Sequence, residues 1–161
     1  MYFSELFLES KSNEAFYDGE KIYSCYRYEK KGESRIKLRF VNSRNDEQQC
    51  IILILEPKKN NCKFYCNGKE LKSRGNAFPT IDIFKEDFGQ EFVIDVKLID
   101  GHFSICNGSV LRIGDKKFVK YMDNTYAMKI EKNGNIINFK CNSAQDSTDF
   151  DDLEFEMEFL D

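Results

Sequence analysis

The stretch Glu91–Leu111, EFVIDVKLIDGHFSICNGSVL, decides the fold class. Phe92, Ile94, Val96 and Leu98 are apolar and alternate with a set that includes Glu91, Asp95 and Lys97. Period two is the mark of a strand with one buried face. Asp100-Gly101 follows as a two-residue hairpin signal, because both residue types tolerate positive φ. Phe103–Cys106 then reads as the returning arm, and Asn107-Gly108 predicts a second tight turn of the same chemistry. Phe92, Ile94, Val96, Phe103 and Ile105 are the expected core of this unit.

The same pattern recurs on both sides of it. Ile36, Leu38 and Phe40 alternate with Arg35, Lys37 and Arg39 in RIKLRFV. Cys50–Leu55 (CIILIL) is continuously apolar, which predicts an interior strand or one covered on both faces. Strands are also expected at Lys21–Tyr28, Cys62–Cys66, Thr80–Phe84, Val110–Ile113, Phe118–Met122, Tyr126–Ile130, Ile136–Cys141 and Leu153–Leu160. Two-residue turn signals stand at Asp18-Gly19, Asn67-Gly68, Gly114-Asp115 and Asn133-Gly134. Residues 2–10 fit a short strand or a helical turn and are read as a strand, and no convincing helix is expected. Short strands recurring roughly every 8–12 residues predict an all-β, two-sheet antiparallel sandwich or jelly roll.

Length and composition agree. The 161 residues suit a single domain, and 41% hydrophobic with 14% aromatic content is globular rather than disordered. No apolar run approaches the ~18 residues that would span a membrane, and the first residues lack the basic and apolar regions of a signal peptide. A cytoplasmic or nuclear location is therefore expected. The six cysteines sit mostly inside apolar strand patterns, so they are read as reduced, buried small side chains. Cys62 and Cys66 form C-x3-C, but there is one histidine and no second cluster to complete a metal site. No metal or other cofactor is expected.

Net charge is −4 but split. Residues 27–74 hold 13 Lys/Arg against 6 Asp/Glu, whereas 146–161 hold 8 acidic residues and no basic one. Arg35, Lys37 and Arg39 make a basic stripe that could meet an acidic partner, or could pair across strands with Glu154, Glu156 and Glu158. Tyr26 and Tyr28 nearby would suit base stacking, but the acidic balance disfavours nucleic acid. Residues 143–161 are read as an acidic extension that is a strand added to a sheet edge, an acidic tail or a docking segment; the alternation in LEFEMEFL favours an ordered strand, and Glu154, Glu156 and Glu158 are candidate partner contacts.

Gly89–Phe92 (G-x-x-F), the strand after it, DGHFSICNG and TYAMKIEKNGNIINFKC resemble the late strands and closing hairpin of galectins. Phe64–Lys69 (FYCNGK) lies where galectins carry L-H-F-N-P-R on a sugar-binding strand. The resemblance covers about residues 20–142 and implies a jelly roll with a ligand site on Tyr65, Asn67 and Lys69. It also implies a site contribution from Ile81–Glu86 (IDIFKE), hence Asp82, Lys85 and Glu86. The sugar motif is altered: Tyr65 stands for histidine, Gly68 for proline and Lys69 for arginine, which removes a bidentate fork. There is no tryptophan to stack a galactose ring, and IDIFKE is too short to hold both V-x-N and W-x-x-E.

Nothing supplies a nucleophile with a base and an orienting group around His102, and neither a phosphate loop nor a paired-carboxylate motif occurs. The reading is a non-catalytic intracellular binding module that contacts a protein partner, with a homodimer through an edge strand as one form. A divergent lectin is the alternative, and a nucleic-acid-binding component acting through residues 35–39 the third.

Overall fold

A computed structural model describes residues 2–44, 48–56, 61–75, 78–143 and 148–161. The elements run α1 (Phe3–Ser10), β1 (Glu14–Tyr17), β2 (Glu20–Tyr23), β3 (Tyr26–Tyr28), β4 (Gly32–Ser43), β5 (Gln49–Leu55), β6 (Cys62–Cys66), β7 (Lys69–Glu70) and β8 (Thr80–Ile83). They continue with α2 (Lys85–Phe88), β9 (Glu91–Leu98), β10 (Phe103–Ile113), β11 (Lys116–Tyr121), β12 (Ala127–Asn133), β13 (Ile136–Asn142) and β14 (Leu153–Phe159). Two antiparallel sheets result. The larger has nine strands in the order β1-β2-β12-β13-β14-β4-β9-β6-β7. The smaller runs β11-β10-β5-β8, with β3 also paired to β10.

The all-β sandwich follows from the alternation. Ile36, Leu38 and Phe40 of β4 and Phe92, Ile94 and Val96 of β9 are buried together with Phe103 and Ile105 of β10. Phe103 joins the sheets: Phe64 meets it edge-on at 4.8 Å, and Tyr28 stacks on it at 4.8 Å. Farther along, Phe139 of β13 stacks on Phe155 of β14 at 4.5 Å. The predicted turns at Asp18-Gly19, Asn67-Gly68 and Gly114-Asp115 each close a two-residue hairpin. The β12–β13 hairpin turns one residue later than expected, on Gly134 and Asn135, because Asn133 is already paired with Ile136.

Five expectations are corrected. Residues 3–10 form a helix rather than a strand: Phe3, Leu6 and Phe7, spaced i, i+3, i+4, pack on one small cluster with Ala15, Ile22 and Phe150. The Glu5 carboxylate also accepts the Tyr2 backbone N–H at 3.2 Å, which satisfies one free donor at the helix start. A second, one-turn helix, α2, follows β8. Asp100-Gly101 does not close a hairpin, since β9 belongs to the large sheet and β10 to the small one. The segment is an arch between sheets. Asn61 Nδ2 donates to the Asp100 carbonyl and the His102 N–H donates to Glu56 Oε1 at 2.8 Å. At Gly101, φ is +73°, and a Cβ would collide with the Glu56 carboxylate.

Asn107-Gly108 is not a turn. Both residues lie inside β10 and are buried, Asn107 donating to the Asn142 carbonyl at 3.1 Å. Gly108 is required because the Ile52 side chain fills the space over it: a Cβ there would lie 2.7 Å from Ile52 Cγ1. Nor is the acidic C-terminal segment an appendage or an edge. Its strand β14 is inserted between β13 and β4, in the interior of the large sheet. Asp152, at its start, is 2% exposed, accepts the Ser143 N–H at 2.7 Å and pairs with Arg44 at 3.2 Å. The linker positions 144–147 lie outside the described residues. No helix among the described residues is long and apolar enough to cross a membrane.

Candidate functional site

The outer face of the large sheet carries the basic stripe. Pleating turns Ile36, Leu38 and Phe40 inward and Arg35, Lys37 and Arg39 outward, and β4 has a strand on each side. Arg39 lies opposite Glu156 on β14 and Glu91 on β9; its Nη2 is 2.8 Å from Glu156 Oε2. Lys37 Nζ stands 3.1 Å from Glu91 and 3.7 Å from Glu158. Arg35 Nε donates to Asp95 Oδ1 at 3.0 Å. The hydrogen bond to Glu91 holds the Lys37 ammonium above its ordinary pKa, and Glu156 does the same for Arg39. Glu154 stands apart, opposite Asn42, and accepts Asn138 Nδ2 at 2.9 Å. The stripe therefore balances its own charge, so its pull on an acidic partner or on phosphate is weak.

Tyr65, Asn67 and Lys69 sit at the far end of this face. Asn67 and Gly68 form the β6–β7 turn with φ of +52° and +78°. Tyr65 lies opposite Asp95, the residue that also holds Arg35. A groove of about 580 Å³ opens there, lined among others by Tyr65, Gly68, Arg35, Asp95 and Lys97. The structure thus brings one residue of the expected ligand set together with one of the expected partner set. Asp82 is elsewhere, on β8 of the other sheet, with its carboxylate on Arg74. Lys85 and Glu86 lie on α2, where Glu86 accepts Gln48 Nε2 at 3.2 Å. The six expected ligand residues do not converge on one site.

Compared with protein-family models, curated proteins and solved structures, the chain matches none of them.

The surface that sequence reasoning missed is the end of the β10–β11 hairpin. Register pairing of β10 with β5 ends at Ser109, Val110 still donates its N–H to the Gln48 carbonyl at 2.9 Å, and Leu111–Ile113 pair only with β11 among the described residues. β11 is the terminal strand of its sheet. Leu111 and Phe118 oppose each other across the hairpin at 39% and 46% exposure, with Ile113 beside them at 61%. By the pleat, Lys116 and Lys120 share the face of the trio, whereas Arg112 and Lys117, paired with each other, face the other side. Lys120 is paired with Asp123 at 3.0 Å and Lys117 lies over the Phe84 ring. The signal was present in LRIGDKKFVKY, but reading Asn107-Gly108 as a turn detached it from the strand that carries it.

His102 is occupied structurally: its backbone N–H and Nδ1 both face Glu56 Oε1, at 2.8 and 3.0 Å. The cysteines are free, and five of the six are buried. Burial pushes the Cys62 thiol up to about 12 and raises Cys50, Cys106 and Cys141 as well, which disfavours the thiolate at these four positions.

Proposed function

We propose that the chain is a non-catalytic recognition module, a galectin-like sandwich that binds a protein partner through the β10–β11 hairpin. The observation that carries this reading is the exposed trio Leu111, Ile113 and Phe118, set on the terminal strand pair of the small sheet among the described residues, with Lys116 on the same face. Surface apolar groups are ordinary when scattered; grouped on a free edge they mark a contact. The occupant that fits is an extended acidic segment of another protein. Its backbone adds to β11, its apolar side chains meet the trio, and its carboxylates on that face meet Lys116. Two copies of this edge would oppose lysine to lysine, which disfavours a homodimer here.

Peptide display against the wild-type chain, counter-selected on an Ile113→Asp/Phe118→Asp variant, tests the proposal. The expected yield is sequences alternating Asp or Glu with apolar residues. A selection that gives no peptide sensitive to the variant overturns it. A second reading rests on the Tyr65 groove, where an aromatic ring beside the Arg35–Asp95 pair offers a stacking face and planar hydrogen bonding to a sugar. Lactose titration followed by NMR decides it: millimolar or tighter binding at Tyr65 would make the groove, not the hairpin, the functional site.

A further inference from the structure

The large sheet opens between β2 and β12. The two strands share one paired position, Met128 with Tyr23, after which the chain leaves through Ser24 and Cys25 to become β3 in the other sheet. Beyond Met128, β12 has no strand neighbour on that side among the described residues. The gap is a cleft of about 490 Å³, within the usual range for a small-molecule site. Ile130 and the buried Cys25 give it an apolar floor. Its shape is fixed, because Asn13 Nδ2 donates to the Cys25 carbonyl at 3.2 Å and the Ser24 N–H donates to the Asn13 carbonyl at 2.9 Å.

Two phenol rings and three cations line this cleft. Tyr23 and Tyr26 are both partly exposed into it, and Tyr26 is held T-shaped against the core ring Phe139 at 5.8 Å. Lys132 Nζ stands 5.4 Å from the Tyr26 ring centroid. Lys11 enters from the end of α1 and Arg27 from β3; Arg27 is within 3.8 Å of Glu29. The one carboxylate in the lining, Glu14, is drawn to Lys21 at 3.5 Å. Lys11 and Lys132 have no carboxylate partner among the described residues. In a chain of net charge −4, a cleft with three cations and one anion is a positive island.

We propose that this cleft binds a nucleoside phosphate, the base stacking on Tyr23 and Tyr26 and the phosphate held by Lys11, Arg27 and Lys132. Stacking faces select a planar ring, and cations on three separate elements select an anion attached to it. A bare anion would leave the rings unused, and a neutral sugar would leave the charges unused. The same chemistry is offered by a free nucleotide and by one residue of single-stranded RNA. This site is separate from the hairpin and does not depend on it.

The test follows the tyrosine ring signals by NMR while AMP, adenosine, inorganic phosphate or the oligonucleotide rA8 is added. AMP should shift Tyr23 and Tyr26 saturably, with adenosine and phosphate each at least about tenfold weaker. The exposed double substitution Lys11→Glu/Lys132→Glu should weaken AMP by about tenfold or more in a chain whose core signals are unchanged. If rA8 binds more than about tenfold tighter than AMP and falls steeply with salt, the nucleotide comes from an RNA strand; comparable affinities assign the cleft to free nucleotides. No tyrosine shift with millimolar AMP or rA8 overturns the proposal. So does phosphate matching AMP, binding that survives the double substitution, or a response confined to a phosphotyrosine peptide.

Discussion

The basic stripe of β4 and the basic hairpin of β10–β11 have nearly the same composition and opposite consequences. Arg35, Lys37 and Arg39 lie between strands that present Asp95, Glu91, Glu156 and Glu158 at matching register. On β10–β11, at the end of the small sheet among the described residues, Lys116 shares a face with the exposed Leu111, Ile113 and Phe118, whereas Arg112 and Lys117 face the other side and Lys117 covers buried Phe84. A cationic strand is thus available to a partner only where its charges are not already paired within the sheet. Inside a sheet it becomes part of the pairing code, since opposite charges face to face favour one register and like charges penalise the others.

The sharpest way to break this contrast is to remove one aromatic ring from each region. Phe155, stacked on Phe139 beneath the acidic strand, should cost about 3–5 kcal/mol as Phe155→Ala in urea unfolding. Phe118→Ala should stay within about 0.5 kcal/mol and yet abolish capture of the selected acidic peptides. If Phe118→Ala destabilised comparably, the hairpin would be core rather than contact surface. At the boundary between packed sheet and free hairpin, Gly108→Ala should cost about 1–3 kcal/mol, because its Cβ would press on Ile52 and Cys50. A negligible change would mean that Asn107-Gly108 is an open turn after all.

A graded effect is expected from β6, which runs from buried Cys62 to half-buried Cys66 at the groove end. The Cys62 thiol is pushed up from 9.0 to about 12 by burial, so between those values the folded chain holds a proton that the unfolded chain has released. Stability should be intact below about pH 9 and fall as pH rises towards 12. Iodoacetamide labelling at pH 8 should reach Cys66 well before Cys62; equal rates would contradict the burial. The smallest effect belongs to the ladder itself. Arg39→Glu should lower the unfolding midpoint slightly and Arg39→Glu/Glu156→Arg restore it, while Lys116→Glu on the hairpin leaves it unchanged. Failure of the double swap to recover would remove the pairing argument.

Legibility followed the range of the interaction. Alternation in RIKLRFV, EFVIDVKL and LEFEMEFL revealed which faces are buried, because a strand's side-chain period is local and apolar faces must leave water. The cross-strand pairing of Lys37 and Arg39 with Glu158 and Glu156 was accessible for the same reason. The helix at Phe3–Ser10 was visible in the spacing of Phe3, Leu6 and Phe7, but eight residues make a marginal helix on their own, and packing on Phe150 decided it. The expected ligand set could not be checked from sequence, because nothing local says that Tyr65 and Asp82 belong to different sheets.

What the chain determined by itself is therefore its class and its layers: an all-β sandwich, two-residue turns where Asp-Gly, Asn-Gly and Gly-Asp have no competing partner, and a core of Phe, Ile and Val. Only the tertiary structure decided which turn signals turn. Asp100-Gly101 became an arch because Glu56 and Asn61 grip it from outside, and Asn107-Gly108 stayed extended because Asn142 and Ile52 occupy the positions a turn would need free. The tertiary structure also placed the acidic C-terminal strand in the middle of the large sheet and left Leu111, Ile113 and Phe118 of the β10–β11 hairpin exposed among the described residues. Dipeptide chemistry permits several backbone courses within a few kcal/mol, and contacts from residues 35 to 56 positions away are enough to choose among them.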